Sequence, residues 1–272
     1  MRDSICLNLA TLRRLDYEAQ LTTAARAGFR AVGLQMAAVE NYLASGHSLV
    51  DARSVLDALG LVAPEMNFIP DWIYTRDDAR KTALTRFARF CEVSEALGCR
   101  VIVSTTSCPG APDDMLAYEN YGEICRTAAE RGLIAGLEFV PWATVKTVMD
   151  AWRLVERVNH PAAGIVLDVF HLVKGGSRLE EIRNIPAEKI AIVHVNDLDD
   201  TGEDILTLCR NRRLLPGEGK FPLREFMKAV RSTGYGGWYA LEVLSEEYDM
   251  QDPDLIARGS FESMGAMLRE TA

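Results

Sequence analysis

Six cysteines, Cys6, Cys91, Cys99, Cys108, Cys125 and Cys209, include no C-x-x-C pair. Zinc ribbons and disulfide frameworks need such spacings, so neither is expected and most of these thiols read as small core residues. Cys108 and Cys209, in loop-like surroundings, are the least settled. Long hydrophobic runs are missing as well. Nowhere do ~18 apolar residues follow one another, as a membrane span requires. Met1–Cys6 lacks the apolar stretch and small-residue cleavage site of an export signal. The expectation is a cytoplasmic protein with no membrane partner. Positive charge is in deficit, 30 Lys and Arg against 39 Asp and Glu for a formal net charge of −9, and the arginines are scattered. Phosphate backbones are held by clustered basic residues, so no nucleic-acid partner is expected. Several catalytic signatures are absent too. No G-x-G-x-x-G follows the first strand-like run, and there is no Walker loop and no G-x-S-x-G elbow. Lys146, Lys174, Lys189 and Lys220 fall in polar helices or loops, not at the desolvated strand ends that a Schiff-base lysine needs.

What is there is a repeat of short apolar runs, each followed by an amphipathic segment. The runs read as strands over Ser4–Leu9, Ala31–Gln35, Val62–Phe68, Arg100–Ser104, Leu133–Phe139, Gly164–Leu167, Ile190–Val195 and Trp238–Val243. Helices are expected over Tyr17–Ala27, Leu49–Leu59, Asp77–Leu97, Asp113–Arg131, Thr144–Val158, Leu223–Ser232 and Pro253–Leu268. Gly28, Gly60, Gly98, Gly132 and Gly234 stand where helices end. Strict alternation with crossovers of this length implies a parallel sheet covered on both faces. Eight units in 272 residues favour closure into one (β/α)8 TIM barrel, a single domain over residues 1–272, over an open doubly wound sheet. One connection is out of proportion, Asn196 to Phe221. It carries Asp197, Asp199, Asp200, Glu203, Asp204, Arg210, Arg212, Arg213 and the turn-like Pro216–Gly219. Such lengths belong to functional covers or disordered segments. Pro216–Gly219 could cradle a phosphate, but a tight turn is the better reading.

The chemistry gathers at strand ends. In a barrel, side chains at the C-terminal ends of strands converge on one mouth. Glu138, Asp168, His194 and Glu242 end strands five to eight, which are neighbours around the ring. Taken singly, an acid there serves as readily as the N-cap of the next helix, and a lone histidine is more often a satisfied core residue. Together, three carboxylates and an imidazole would repel one another unless a divalent cation neutralised them. The oxygen-rich set with one nitrogen and no thiolate suits Mn²⁺, placed first, or Mg²⁺, Co²⁺ or Zn²⁺. His171, three residues beyond Asp168, could bond a ligand or a substrate hydroxyl. Trp72 and Trp142 read equally as sugar-stacking walls or as packing beneath their loops.

These residues carry a resemblance. Gly136–Phe139, Leu167–His171, Val193–Asp197, Arg213–Gly219 and Leu241–Val243 are similar to motifs of the xylose-isomerase-like TIM-barrel superfamily, and within it most similar to the inosose (2-keto-myo-inositol) isomerases. The resemblance runs from Cys6 onward and is strongest from Glu138 to Glu242. It implies a sugar or inosose isomerase or epimerase, with a small polyhydroxylated carbonyl substrate. One divalent cation would hold a carbonyl and the adjacent hydroxyl and so stabilise an enediolate. Glu138 and Glu242 would each bind the metal through one oxygen and act as general base and acid. Asp168 and His194 would be ligands, and His171 and Arg213 would bind substrate oxygens, Arg213 countering the developing negative charge. A lyase of the 3-dehydroshikimate dehydratase type shares most of the pattern, and a non-catalytic carbohydrate-binding barrel is a third reading. The DNA-cleaving members carry three metals and many more histidines than the four here, and this chain is acidic. Ile69–Tyr74 and Ser104–Cys108, which would shape the pocket, depart from the isomerase pattern. A homo-oligomeric assembly is compatible with the sequence.

Overall fold

The computed structural model describes residues 4–107 and 113–271. Eight strands, β1 (Ile5–Asn8), β2 (Ala31–Gln35), β3 (Val62–Ile69), β4 (Val101–Thr105), β5 (Ile134–Glu138), β6 (Ala163–Asp168), β7 (Ile190–Val195) and β8 (Tyr239–Leu241), pair in parallel and in sequence order. They close into a barrel through β1 against β8. The helices are α1 (Tyr17–Ala27), α2 (Met36–Ala44), α3 (Leu49–Ala58), α4 (Asp77–Leu97), α5 (Asp114–Ala129), α6 (Val148–Val158), α7 (Val169–Lys174), α8 (Ile205–Asn211), α9 (Leu223–Ser232), α10 (Glu246–Asp249) and α11 (Pro253–Glu270).

Local chemistry explains most boundaries. α4 buries Ala83, Phe87, Phe90, Cys91, Ser94 and Leu97 at three- and four-residue spacing and stops at Gly98, whose φ of +77° is left-handed. α6 begins at Val148, later than the expected Thr144, because Thr147 and Asp150 form a capping box there. α2 was not expected. It leaves β2 directly at Gln35, which makes no side-chain cap bond, so nothing in the sequence marks its start. In the Asn196–Phe221 connection Asp204 caps the short α8, and that segment is a folded cover, not a disordered loop.

Alternate residues of each strand face the lumen. There Cys6, Ala31, Val101, Val103, Val166, Ile192 and Ala240 pack into a small core of their own, separate from the large one between strands and helices. Two residues further along the same faces, Ala240 gives way to Glu242, Val166 to Asp168 and Ile192 to His194. An apolar plug thus forms the floor of a polar mouth.

Candidate metal centre

Period-two alternation carries four polar side chains to that mouth from adjacent strands. Glu138 ends β5, Asp168 ends β6, His194 lies in β7 opposite Asp168, and Glu242 follows β8, its N–H donating to the Val195 carbonyl. His194 Nδ1 lies 3.4 Å from Glu138 Oε1 and 3.8 Å from Glu242 Oε2, between the two glutamates. His171, in the first turn and a half of α7, points Nε2 at the same place, 4.0 Å from both Glu138 Oε1 and Asp168 Oδ2. Donor atoms of Glu138, Asp168 and His171, and likewise of Asp168, His194 and Glu242, fall within 4.8 Å of one another. All the acids expected from the sequence to share a site do so.

Asp168 caps the following helix and also faces the site. Its Oδ1 caps α7, accepting from the N–H of Phe170 at 2.6 Å, and also takes a bond from Asn196 Nδ2. Its Oδ2 is left for the site, where Arg213 Nη1 stands 3.0 Å away. Arg213 comes from the cover after α8. It is buried and binds Glu242 Oε2 at 2.8 Å and the Cys209 carbonyl at 2.9 Å, with its guanidinium 5.0 Å from the centre of the Phe170 ring. Cys209 Sγ is 3.1 Å from Arg213 Nη2, so this buried thiol belongs to the wall of the centre. Cys108 lies outside the described residues.

A fourth acid, not expected from the sequence, sits underneath. Glu65 of β3 is fully buried and its Oε2 lies 2.7 Å from His194 Nε2. Asn8 of β1 donates to Glu65 Oε1 at 3.2 Å and to Glu242 Oε1 at 3.1 Å, while its own oxygen accepts from Gln35 at 2.7 Å. A charged residue in the lumen-facing register of a largely apolar strand was the signal available, since unpaired acids are almost never fully buried.

The electrostatics follow from this crowding. Burial, together with Glu138 and Asp168, pushes Glu242 up to about 7 against the pull of Arg213 and His194. For Asp168 burial is outweighed by Arg213 and the two histidines, which hold it well below the usual carboxylate range. For His194 burial is outweighed by Glu65, Glu138 and Glu242, which raise it well above an ordinary imidazole. Burial lowers His171 despite Asp168 and Glu138 nearby. Four buried or nearly buried carboxylates thus face one guanidinium and the His194 imidazole, a deficit of positive charge that a divalent cation would fill. Nδ1 of His194 has no aligned hydrogen-bond partner although buried, as a ligand nitrogen turned to a cation would be. The donor set therefore fits a divalent ion.

The remaining expectations fall as follows. Pro216–Gly219 is a turn, not a phosphate cradle: the Gly217 N–H bonds Asp197 Oδ2 and the Glu218 N–H bonds the Leu215 carbonyl. Trp72 packs beneath its loop, 1% exposed, with Nε1 bonded to the Thr105 carbonyl. Trp142 stands edge-on to His171, with ring centres 5.4 Å apart, at the rim of the centre. A cavity of about 820 Å³ opens beside Glu242 and extends past Ala10, Gln35, Phe68 and Tyr42 to His47. Among the described residues no helix is long and apolar enough to cross a membrane.

Comparison with known proteins agrees with this fold. Over 199 residues, 72% of this chain, the sequence is 28% identical to a 3-dehydroshikimate dehydratase of Pseudomonas putida, but the chain spans only 31% of that relative's length. It is 29% identical to the inosose isomerase of Bacillus subtilis over 61% of each chain. The crystal structure of the IOLI protein with a bound zinc atom superposes with a TM-score of 0.89 over 99% of both chains at 23% identity, a likeness of fold. The sequence model of the xylose isomerase-like TIM barrel matches residues 21–267, and the chain belongs to that family.

Proposed function

We propose that the chain is a divalent-metal-dependent isomerase or epimerase of a sugar or inosose, acting by proton transfer through an enediolate. Glu138, Asp168, His194 and Glu242 would hold the ion, with Mn²⁺ first among Mn²⁺, Mg²⁺, Co²⁺ and Zn²⁺ for so oxygen-rich a set. When bound, the ion would polarise a carbonyl and its neighbouring hydroxyl, acidifying the C–H between them. The observation that carries the reading is the pair of glutamates flanking one histidine nitrogen, 3.4 and 3.8 Å from it. One glutamate removes the proton from carbon and the other returns one, to the neighbouring carbon in an isomerisation or to the opposite face of the same carbon in an epimerisation. Glu242, lining the cavity and held by Arg213 and Asn8, is placed to exchange a proton with a substrate there. Asp168 is held still by its helix-cap bonds and by Asn196, as an anchoring ligand should be. His171 Nε2, facing the centre beside Trp142, would bind a substrate oxygen. Arg213 would counter negative charge developing beside Glu242, which it already bonds.

The likeness to a dehydratase supports a second reading, in which the same base removes the proton and a hydroxyl group then leaves as water. One experiment separates them. Chelator-stripped protein, alone and with each of the four metals, is incubated in D₂O with inososes, ketohexoses and 3-dehydroshikimate and followed by proton NMR. Isomerisation or epimerisation exchanges a carbon-bound hydrogen for deuterium without loss of water, whereas dehydration loses water and gives new olefinic signals or, from 3-dehydroshikimate, aromatic ones. Turnover by the metal-free protein equal to that of the metal-loaded one would sink both readings.

A further inference from the structure

Glu65 is used by neither reading, yet it is a fully buried acid inside the barrel. Nothing in its own strand explains it: β3 is otherwise Val62, Ala63, Pro64, Met66, Asn67, Phe68 and Ile69. Its two oxygens are both committed, Oε2 to His194 Nε2 at 2.7 Å and Oε1 to Asn8 Nδ2 at 3.2 Å. Room for it is made on the neighbouring strand. Gly33 pairs with Glu65 in the β2–β3 register, and a methyl group placed on Gly33 would overlap the Glu65 carboxylate. Gly33 has no left-handed φ, so space, not backbone freedom, is what the glycine supplies.

The consequence for the ligands is geometric. An imidazole that gives its Nε2 hydrogen to Glu65 presents the lone pair of Nδ1 to the two glutamates, and the ring cannot turn without breaking that bond. Second partners of this kind orient metal-binding histidines and raise their basicity. Asn8 extends the same anchor to a second ligand. Its amide donates one hydrogen to Glu65 and the other, at 3.1 Å, to Glu242 Oε1, and its oxygen accepts from Gln35 Nε2 and the Ala10 N–H. All four of the hydrogen-bonding positions of that side chain are therefore filled, and it has one orientation.

Building on the metal reading above, we infer that Glu65 is a positioning residue for the metal centre: seated in the space left by Gly33, it fixes His194 directly and Glu242 through Asn8. Glu65 touches neither ion nor substrate and acts through those two ligands.

The test is metal affinity, measured on the full chain after chelator treatment by calorimetric titration with Mn²⁺ and with Zn²⁺, with near-ultraviolet circular dichroism to verify folding. Glu65→Ala is expected to weaken binding by about 10–100-fold, the range for removing such a partner. Glu65→Gln keeps an acceptor for the Nε2 hydrogen and should lose less. Gly33→Ala, which alters no polar group, should lose affinity as well, because it displaces Glu65. In the Glu65→Ala background the same glycine change should have no further effect, since the space is then vacant. Nitrogen-edited NMR of the metal-loaded protein supplies a readout that a purely structural role would leave alone. The His194 ring N–H should be slow to exchange in wild type and Glu65→Gln and lost in Glu65→Ala. Should Glu65→Ala fail to fold, Glu65→Gln and Gly33→Ala carry the test. Wild-type affinity in both of these, or fully additive losses in the double variant, overturns the inference while leaving the metal reading standing. A wild-type protein that takes up no divalent cation overturns both.

Discussion

Replacing Arg213 by methionine isolates the charge balance of the centre, because the flexible apolar chain of methionine can occupy much of the vacated space while the charge goes. Arg213 is 1% exposed and stands 3.0 Å from Asp168 Oδ2 and 2.8 Å from Glu242 Oε2, themselves buried or nearly so. At an effective dielectric of about 20, each contact has a gross attraction of about 5–6 kcal/mol, much of it offset by the desolvation of all three groups. Removing one partner of a buried pair costs about 3–5 kcal/mol, because charges are left without compensation. Loss of the guanidinium above Phe170 adds in the same direction. At about 2–4 °C per kcal/mol for a chain approaching this size, the metal-free variant should melt about 6–20 °C below wild type. The metal-loaded pair should differ far less. Without Arg213 the carboxylates attract a cation more strongly, and ligand binding to the native state stabilises in proportion to the logarithm of its affinity. The assay is thermal unfolding of both proteins, chelator-stripped and Mn²⁺-saturated. Equal midpoints for the two metal-free proteins, or a gap that metal does not narrow, would refute the charge balance argued above.

Three further outcomes are expected. Glu242→Gln and Glu138→Gln should each lower turnover by about 10²–10⁴-fold, the usual worth of a positioned acid or base. Steady-state kinetics on the substrate found by the NMR screen checks this, and full turnover by either removes that residue from proton transfer. Metal uptake should weaken as pH falls through about 7, where Glu242 takes up a proton, with His194 already favouring its protonated form there. The sign follows because cation and proton compete for the same atoms, each such group lowering apparent affinity by up to about tenfold per pH unit. Calorimetry in two buffers of different ionisation enthalpy counts the released protons, and an affinity unchanged between pH 8 and 6 contradicts the assignment. Gly219→Ala would press a methyl group into Asp197 Oδ1 and the Leu198 backbone. It should loosen the cover at a cost of about 1–3 kcal/mol, read as faster limited proteolysis between residues 196 and 221.

The barrel itself was legible because its evidence is periodic and repeated. β2, α4, β7 and α9 begin and end where the apolar pattern places them. The strand-end acids were equally legible, since the register that seats Val166 and Ala240 in the lumen carries Asp168 and Glu242 to the mouth. What escaped is what lacks a local signature. α2 follows β2 with no capping side chain, so period alone had to announce it across Met36–Ala44. α8 did have a signature, Asp204, which accepts from the N–H groups of Leu206 and Thr207. Acids are frequent through that whole connection, and the cap did not stand out among them. Glu65 sits one layer below the strand end, where only its pairing with Gly33 across two strands gives it meaning. The Arg213 contacts with Asp168 and Glu242 were hidden for a similar reason: they depend on how the cover folds back over α7, which no spacing in the sequence encodes.

The apolar plug beneath the mouth has a kinetic consequence. Cys6, Ala31, Val103, Val166, Ile192 and Ala240 are 0–1% exposed and close the barrel from below. Above them the site opens toward the mouth, beside the cavity at Glu242. Whatever occupies its bottom must arrive before whatever occupies its top and must leave after it. An ion at the bottom would be sealed in while a substrate stood over it, so substrate should slow the stripping of metal by a chelator. Binding order in such a pit is written into the architecture of the strands and needs no moving gate.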